Sequence, residues 1–210
     1  MPKNFYFTVT NFHILYYSGI VRLVLQNLDK ESVNTGHGDF LDSALHICSQ
    51  NHYLACAEAL LEHGAKVDVL NKRGESPLYQ ASCLPNRIDI VELMLSYGAN
   101  PRIHTNSGST PLHAACVAGE AKYIIELVKN GAIVNTQNPS NGETPLHKAC
   151  SLAEPEVVRE LLLARAHKSI RNHAGVRPYE IAFRRRKTNE RYIECVKLME
   201  TKNISGKFCV

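Results

Sequence analysis

The sequence predicts an all-α protein, a solenoid of about six stacked helix-turn-helix units. Residues 110–116 (TPLHAAC) recur almost unchanged as residues 144–150 (TPLHKAC), 34 residues later. A looser frame of the same kind begins at six positions spaced 33 or 34 residues apart, namely Thr10, Ser43, Ser76, Thr110, Thr144 and Arg177. A fixed period of this length is typical of stacked supersecondary units, each of which buries too little apolar surface alone.

This frame sets the expected domain organisation, a single repeat array over residues 1–201. It comprises a degenerate N-terminal unit (8–41), four repeats (42–74, 75–108, 109–142 and 143–175), a capping unit (176–201) and a short tail (202–210). The two terminal units depart most from the frame, as expected where a repeat must present a polar outer face.

Each repeat carries signals for two helices. Ser or Thr is placed to cap the first helix, and Pro often follows at the first helical position, where its missing N–H costs nothing. Small residues then allow close packing, and the second helix has apolar residues at i, i+1, i+4 and i+5. Gly64, Gly98 and Gly131 follow, where a left-handed residue ends a helix, whereas Arg165 replaces glycine in the fifth unit. Asn86 is a candidate cap for the second helix of the third unit.

The T-P-L-H-x-A pattern resembles the signature of the ankyrin-repeat family, most strongly over residues 43–175. The resemblance implies that the segments between helix pairs form β-hairpin fingers, and that a partner protein binds the finger tips and the concave face of the first helices. The candidate tip residues are Lys72, Arg73, Glu75, Ser107, Ser109, Asn141, Glu143 and Val176. The candidate first-helix residues are Gln50, Asn51, Leu84, Val117, Ala118, Ser151 and Leu152.

The segment from residue 165 to residue 191 is strongly basic, although the whole chain carries a net charge of only +4. Arg184 and Arg185 are further candidate binding residues, since such a run suits an acidic protein partner or a nuclear import signal. A solvated capping repeat explains the same charges. Nucleic acid is disfavoured because no pattern of stacking aromatic residues interleaves the basic run.

His113 and Cys116 are three residues apart on one predicted helix, as are His147 and Cys150. A metal site or a Cys-His nucleophile would use such a shared face. The simpler interpretation is that both residues belong to the repeat, with histidine bonded to backbone in the neighbouring turn. Tyr79 at the histidine position of the third unit favours the simpler interpretation. We therefore expect no enzymatic activity, no cofactor and no metal.

The composition bounds the setting in which the protein works. No apolar run is long enough to span a membrane, and no secretory signal is apparent. Seven cysteines, an odd number, suit thiols in a reducing compartment. We expect a monomer inside the cell, cytoplasmic with a nuclear fraction, that binds no small molecule and no membrane.

The function that these features predict is a non-enzymatic protein-interaction module, an adaptor or a regulator of unknown partner. One alternative is a protein similar to ubiquitin-ligase substrate adaptors or to host-targeting effectors of the ankyrin-repeat family. Another is a regulator that binds an acidic or nuclear partner through the basic C-terminal repeat.

Overall fold

The structure is a computed structural model that describes residues 33–36 and 38–200. Ten helices lie within these residues. They are α1 Ala44–Asn51, α2 Leu54–Glu62, α3 Pro77–Ser82, α4 Ile88–Ser96, α5 Pro111–Ala118, α6 Ala121–Lys129, α7 Pro145–Leu152, α8 Pro155–Leu163, α9 Pro178–Arg185 and α10 Glu190–Glu200. The predicted fold class, an all-α repeat solenoid, is confirmed. The frame at Thr10 and the tail 202–210 lie outside the described residues.

The chain divides into two compact bodies. The N-terminal body comprises residues up to Ala81 together with 87–100, and in it α2 packs against both α1 and α4. The C-terminal body comprises 82–86 and the residues from 101 onward. There the first helices α5, α7 and α9 pack side by side, and the second helices α6, α8 and α10 form a parallel layer. No described helix combines the length and apolar composition that crossing a bilayer requires.

The predicted caps begin the first helices. The hydroxyls of Ser43 and Thr144 each accept a hydrogen bond from the backbone N–H three residues on, and Pro111, Pro145 and Pro178 occupy the first helical position. The prediction for Asn86 is wrong. Helix α4 is preceded by Arg87, and Asn86 itself is left-handed with φ 57°, outside the extended conformation that a capping residue needs.

The core of each body is made of the residues that the repeat period selects. The small first-helix residues Cys48, Ala81, Ala115 and Ala149 are buried, so adjacent helices can approach closely. On the second helices the buried apolar residues recur at the same spacing, as in Ile90, Val91, Met94 and Leu95 of α4 or Val157, Val158, Leu161 and Leu162 of α8. Burial of such aliphatic side chains, about 1.5–3 kcal/mol each, is the main stabilising contribution to each body.

Tight turns connect the helix pairs. Gly74 N–H donates to Asn71 O at 2.9 Å, and the same closure recurs from Gly108 to Thr105 at 2.8 Å and from Gly175 to Asn172 at 2.8 Å. The turn that ends at Gly142 is one residue longer, as its sequence spacing predicts. Its closing bond runs from Gly142 N–H to Asn138 O at 2.7 Å. No β-strand flanks these turns in the described residues, and the hairpin form of the fingers stays a prediction.

Candidate functional site

Lys72, Arg73 and Glu75 lie on one turn of the N-terminal body. The Asn71 side-chain oxygen accepts from the backbone N–H of Arg73 at 2.9 Å and of Glu75 at 3.0 Å, which fixes the turn from within. Lys72 and Arg73 are exposed and Glu75 is half-buried. The Arg73 guanidinium lies 3.8 Å from the Glu75 carboxylate and 3.6 Å from the centre of the Phe40 ring. This turn therefore presents a cation held in place by an aromatic ring.

The remaining predicted turn residues all belong to the C-terminal body, where the turns are bonded to one another. Ser140 Oγ donates to Ser107 O at 3.1 Å, and Asn138 Nδ2 donates to Ser109 Oγ at 3.2 Å. The next pair of turns is joined where His173 N–H donates to Asn141 O at 2.9 Å. The turns that contain Ser107, Ser109 and Asn141 are thus bonded into one connected surface.

At three of the four turns, a histidine of the preceding first helix holds the residue at the end of the turn. His46 Nε2 lies 2.9 Å from Glu75 O, His113 Nε2 3.1 Å from Glu143 O, and His147 Nε2 3.0 Å from Val176 O. The other ring nitrogen of each, Nδ1, accepts the backbone N–H of the cap residue, so Nε2 carries the proton and donates to the carbonyl. The prediction that these histidines bond backbone of the neighbouring turn is confirmed.

Burial lowers the pKa of all three imidazoles, and the bonds to backbone carbonyls oppose this in part. The rings are therefore neutral at pH 7. Because each ring uses both of its nitrogens inside the protein, the histidines position the turns and have no nitrogen left to bind a metal or activate a thiol.

The cysteines three residues after His113 and His147 are also part of the packed core. Cys116 and Cys150 are fully buried, and burial raises the pKa of both thiols well above the usual value. Cys116 Sγ donates to Leu112 O at 3.1 Å. Within residues 33–36 and 38–200 no three or more His, Cys, Asp or Glu side chains group as a metal site. The His-Cys pairs lack the geometry of a metal centre or a nucleophile.

The first-helix candidates of the C-terminal body differ in exposure. Val117 on α5 and Leu152 on α7 expose 53% and 42% of their surface, whereas Ser151 on α7 is half-buried. Leu84 is also half-buried, and its predicted place on a first helix is wrong because α3 ends at Ser82. Leu84 O accepts from Tyr123 Oη at 2.9 Å and so serves the structure of its own body. Val117 and Leu152 are thus exposed apolar side chains on two first helices that pack against each other.

Arg184 and Arg185 lie at the C-terminal end of helix α9 and differ in their contacts. Arg185 Nη1 donates to Ser151 O at 3.0 Å, and Tyr192 Oη donates to the same carbonyl at 2.9 Å. These bonds occupy a carbonyl at the C-terminal end of α7 that the helix itself cannot satisfy. Arg184 is exposed and makes no ion pair among the described residues. We call Val117, Ser151, Leu152, Arg184 and Arg185 the first-helix surface.

Sequence reasoning missed the aromatic residues that organise the basic repeat. Tyr179 and Phe183 stack with ring centres 5.4 Å apart, and the Arg186 guanidinium lies 3.6 Å from the centre of the Phe183 ring. The i, i+4 spacing of Tyr179 and Phe183 was the available signal. Tyr192 could not be placed because the enlarged loop before α10 breaks the repeat register.

Comparison with known proteins bears on these features. A family model described as ankyrin repeats (3 copies) matches residues 12–105 and 86–172. CAP-Gly domain-containing linker protein 3 of Mus musculus is 35% identical over 88 residues, and its Homo sapiens and Pongo abelii counterparts are 34% identical over 88 residues. Each match covers 39% of this chain and 16% of the relative, so the chain spans only a small part of these relatives.

Proposed function

Because the chain belongs to the ankyrin-repeat family, a family of protein–protein interaction modules, we propose that it is a non-enzymatic adaptor or regulator. It binds a protein partner through its turn residues and the first-helix surface. The observation that carries the proposal is the exposure of Val117 and Leu152 on the adjacent helices α5 and α7. Single exposed apolar side chains are common, but a pair on adjacent elements beside a polar rim has the composition of an interface.

The turns support the proposal because their internal bonds hold them in one conformation before any partner arrives. Asn141 Oδ1 accepts from Glu143 N–H at 2.9 Å, and its amide donates to the Glu143 carboxylate at 3.3 Å. A surface ordered in advance loses less conformational entropy on binding. The turn residues Ser107, Asn141 and Glu143 therefore suit recognition.

The setting and the assembly state are part of the same proposal. Six cysteines in the described residues are thiols rather than disulfides, which suits a reducing intracellular compartment. The protein acts there as a monomer, cytoplasmic with a nuclear fraction. The similar relatives are named as linker proteins, and this agrees with a bridging role.

Affinity capture with quantitative mass spectrometry tests the proposal. The bait is the full chain, compared with Val117→Asp/Leu152→Asp and with Asn141→Ala/Glu143→Ala. Ile133→Asp is the matched control, since Ile133 exposes the same 53% as Val117 but lies outside the first helices. All baits must keep the wild-type circular dichroism and melting temperature.

We expect a protein that the wild type and the Ile133 control retain, and that both surface variants lose. Capture that is equal for all four baits would contradict the proposal. Turnover of a substrate dependent on His113 or Cys116 would contradict the non-enzymatic part of it.

A further inference from the structure

The end of helix α9 carries positive charge that no ion pair among the described residues compensates. Arg184 and Lys187 are exposed and form no ion pair within residues 33–36 and 38–200. The nearest acidic residue of the helix, Glu180, is already 3.9 Å from Arg171. Two exposed cations three residues apart in the sequence favour a ligand of opposite charge, and they also raise the rate of encounter with it.

Arg185 and Arg186 lie between Arg184 and Lys187, and both contact neighbouring groups of the protein. Arg186 lies over the Phe183 ring, and Arg185 is bonded to Ser151 O. The second bond joins the end of α9 to the end of α7, where Leu152 follows Ser151 directly. Arg184 occupies the same repeat position on α9 as Ser151 on α7 and Val117 on α5, seven residues after the start of the frame. It therefore belongs to the helix face that carries Val117.

This arrangement sets a spacing for a ligand. Val117, Leu152 and Arg184 lie on α5, α7 and α9, three helices that pack side by side. Neighbouring helix axes are about 8–10 Å apart, and an extended chain advances about 3.3 Å per residue. A bound extended segment would thus place an apolar side chain and a carboxylate about three residues apart.

The same residues favour an acidic protein over a nucleic acid. Val117 and Leu152 need an apolar side chain as their partner, which a phosphate backbone does not offer. Nucleic-acid surfaces also present open aromatic faces for base stacking. Here the Phe183 ring is already stacked on Tyr179 and covered by Arg186.

We propose that the surface formed by Val117, Leu152, Arg184 and Lys187 binds an acidic segment of a partner protein. In that segment an Asp or Glu follows or precedes an apolar side chain at a distance of about three residues. This inference rests on the proposed protein-binding function and names the chemistry of the partner.

The test selects binders from a phage library of random 16-residue peptides on the immobilised full chain. The recovered peptides are synthesised with a fluorescent label, together with versions in which each Asp or Glu is changed to Asn or Gln. Their affinities are measured by fluorescence anisotropy at two salt concentrations. The proteins are wild type, Arg184→Ala/Lys187→Ala, Val117→Asp/Leu152→Asp and the control Lys122→Ala/Lys129→Ala, which removes the same charge from the exposed surface of α6.

We expect acidic peptides with the stated spacing. Their affinity should fall about tenfold or more in the Arg184→Ala/Lys187→Ala variant and in the amide versions, and weaken with salt, with little change in the control. Peptides that need Val117 and Leu152 but ignore Arg184 and Lys187 would overturn this inference and leave the proposed function standing. Peptides indifferent to both double variants would overturn both. Binding of single-stranded DNA that needs Arg184 and Lys187, with no acidic peptide selected, would also overturn the inference.

Discussion

His147 Nε2 donates to Val176 O at 3.0 Å, and its Nδ1 accepts the backbone N–H of Thr144 at 3.1 Å. One buried side chain thus completes the cap of its own helix and holds the last residue of the next turn. The same relationship joins His113 to Glu143 and His46 to Glu75. The candidate binding residues at the ends of three turns are positioned by histidines that do not reach the surface.

Replacing His147 with Ala should lower the free energy of unfolding by about 1–3 kcal/mol, because the buried Thr144 N–H loses its acceptor. Val176 O loses one of its two donors and keeps the bond from Asn172 N–H at 3.0 Å. Urea denaturation followed by circular dichroism measures this. His167→Ala is the control, since the His167 side chain is exposed and the bond of this residue to Asn135 Oδ1, at 2.8 Å, comes from its backbone N–H. Equal losses in the two variants would contradict the role assigned to the ring.

Stability should depend on pH through these three histidines. Burial lowers their folded-state pKa below the unfolded value of 6.5, so the unfolded chain binds more protons between the two values. The stabilisation is fully present above pH 6.5 and is lost as the pH falls toward the folded-state pKa. Each histidine contributes a slope of up to about 1.4 kcal/mol per pH unit.

Urea midpoints between pH 7.5 and 5.2 test this pH dependence, above the range in which carboxylates titrate. The His147→Ala variant should show a shallower slope than the wild type. A slope unchanged by that substitution would show that other groups cause the dependence.

The repeat frame was enough to predict the features that depend on local sequence. Caps, small first-helix residues, the apolar face of the second helices and the longer turn before Gly142 all follow from spacing. The prediction that histidine bonds a neighbouring turn also held, because its position is fixed relative to the cap. Asn86 was mispredicted because capping depends on backbone conformation. Asn86 is left-handed, as are His52, Gly119 and Ala153, which also lie two residues before a second helix.

Exposure within the candidate site was harder to predict. The sequence predicts Val117 and Leu84 alike as binding residues. In the structure Val117 is exposed, whereas Leu84 is half-buried and its carbonyl accepts a hydrogen bond from Tyr123. The bond from Arg185 to Ser151 O depends on how α9 packs against α7. Such contacts between repeats are set by packing of the assembled body, which no single repeat encodes.

The buried thiols should resist alkylation in the native protein. Burial raises the pKa of Cys195 to about 12 and that of Cys150 well above its usual value, so almost no thiolate is present at pH 8. Cys83 is half-buried and should be labelled at least about tenfold faster than Cys150. A short pulse of iodoacetamide followed by peptide mapping measures this, with labelling in urea as the reference. Cys150 labelled as fast as Cys83 would contradict the burial.

Substitution of Arg165 should stabilise the protein, whereas substitution of His147 should destabilise it. It has φ 65° at the position that Gly64, Gly98 and Gly131 occupy after the preceding second helices, and it is exposed. A residue with a Cβ atom costs about 1 kcal/mol in this conformation, which glycine adopts freely. Arg165→Gly should therefore raise the free energy of unfolding by about 0.5–1 kcal/mol. Arg165→Ala retains the Cβ atom and should give no gain, so equal stabilisation by both substitutions would assign the effect to lost positive charge instead of backbone strain.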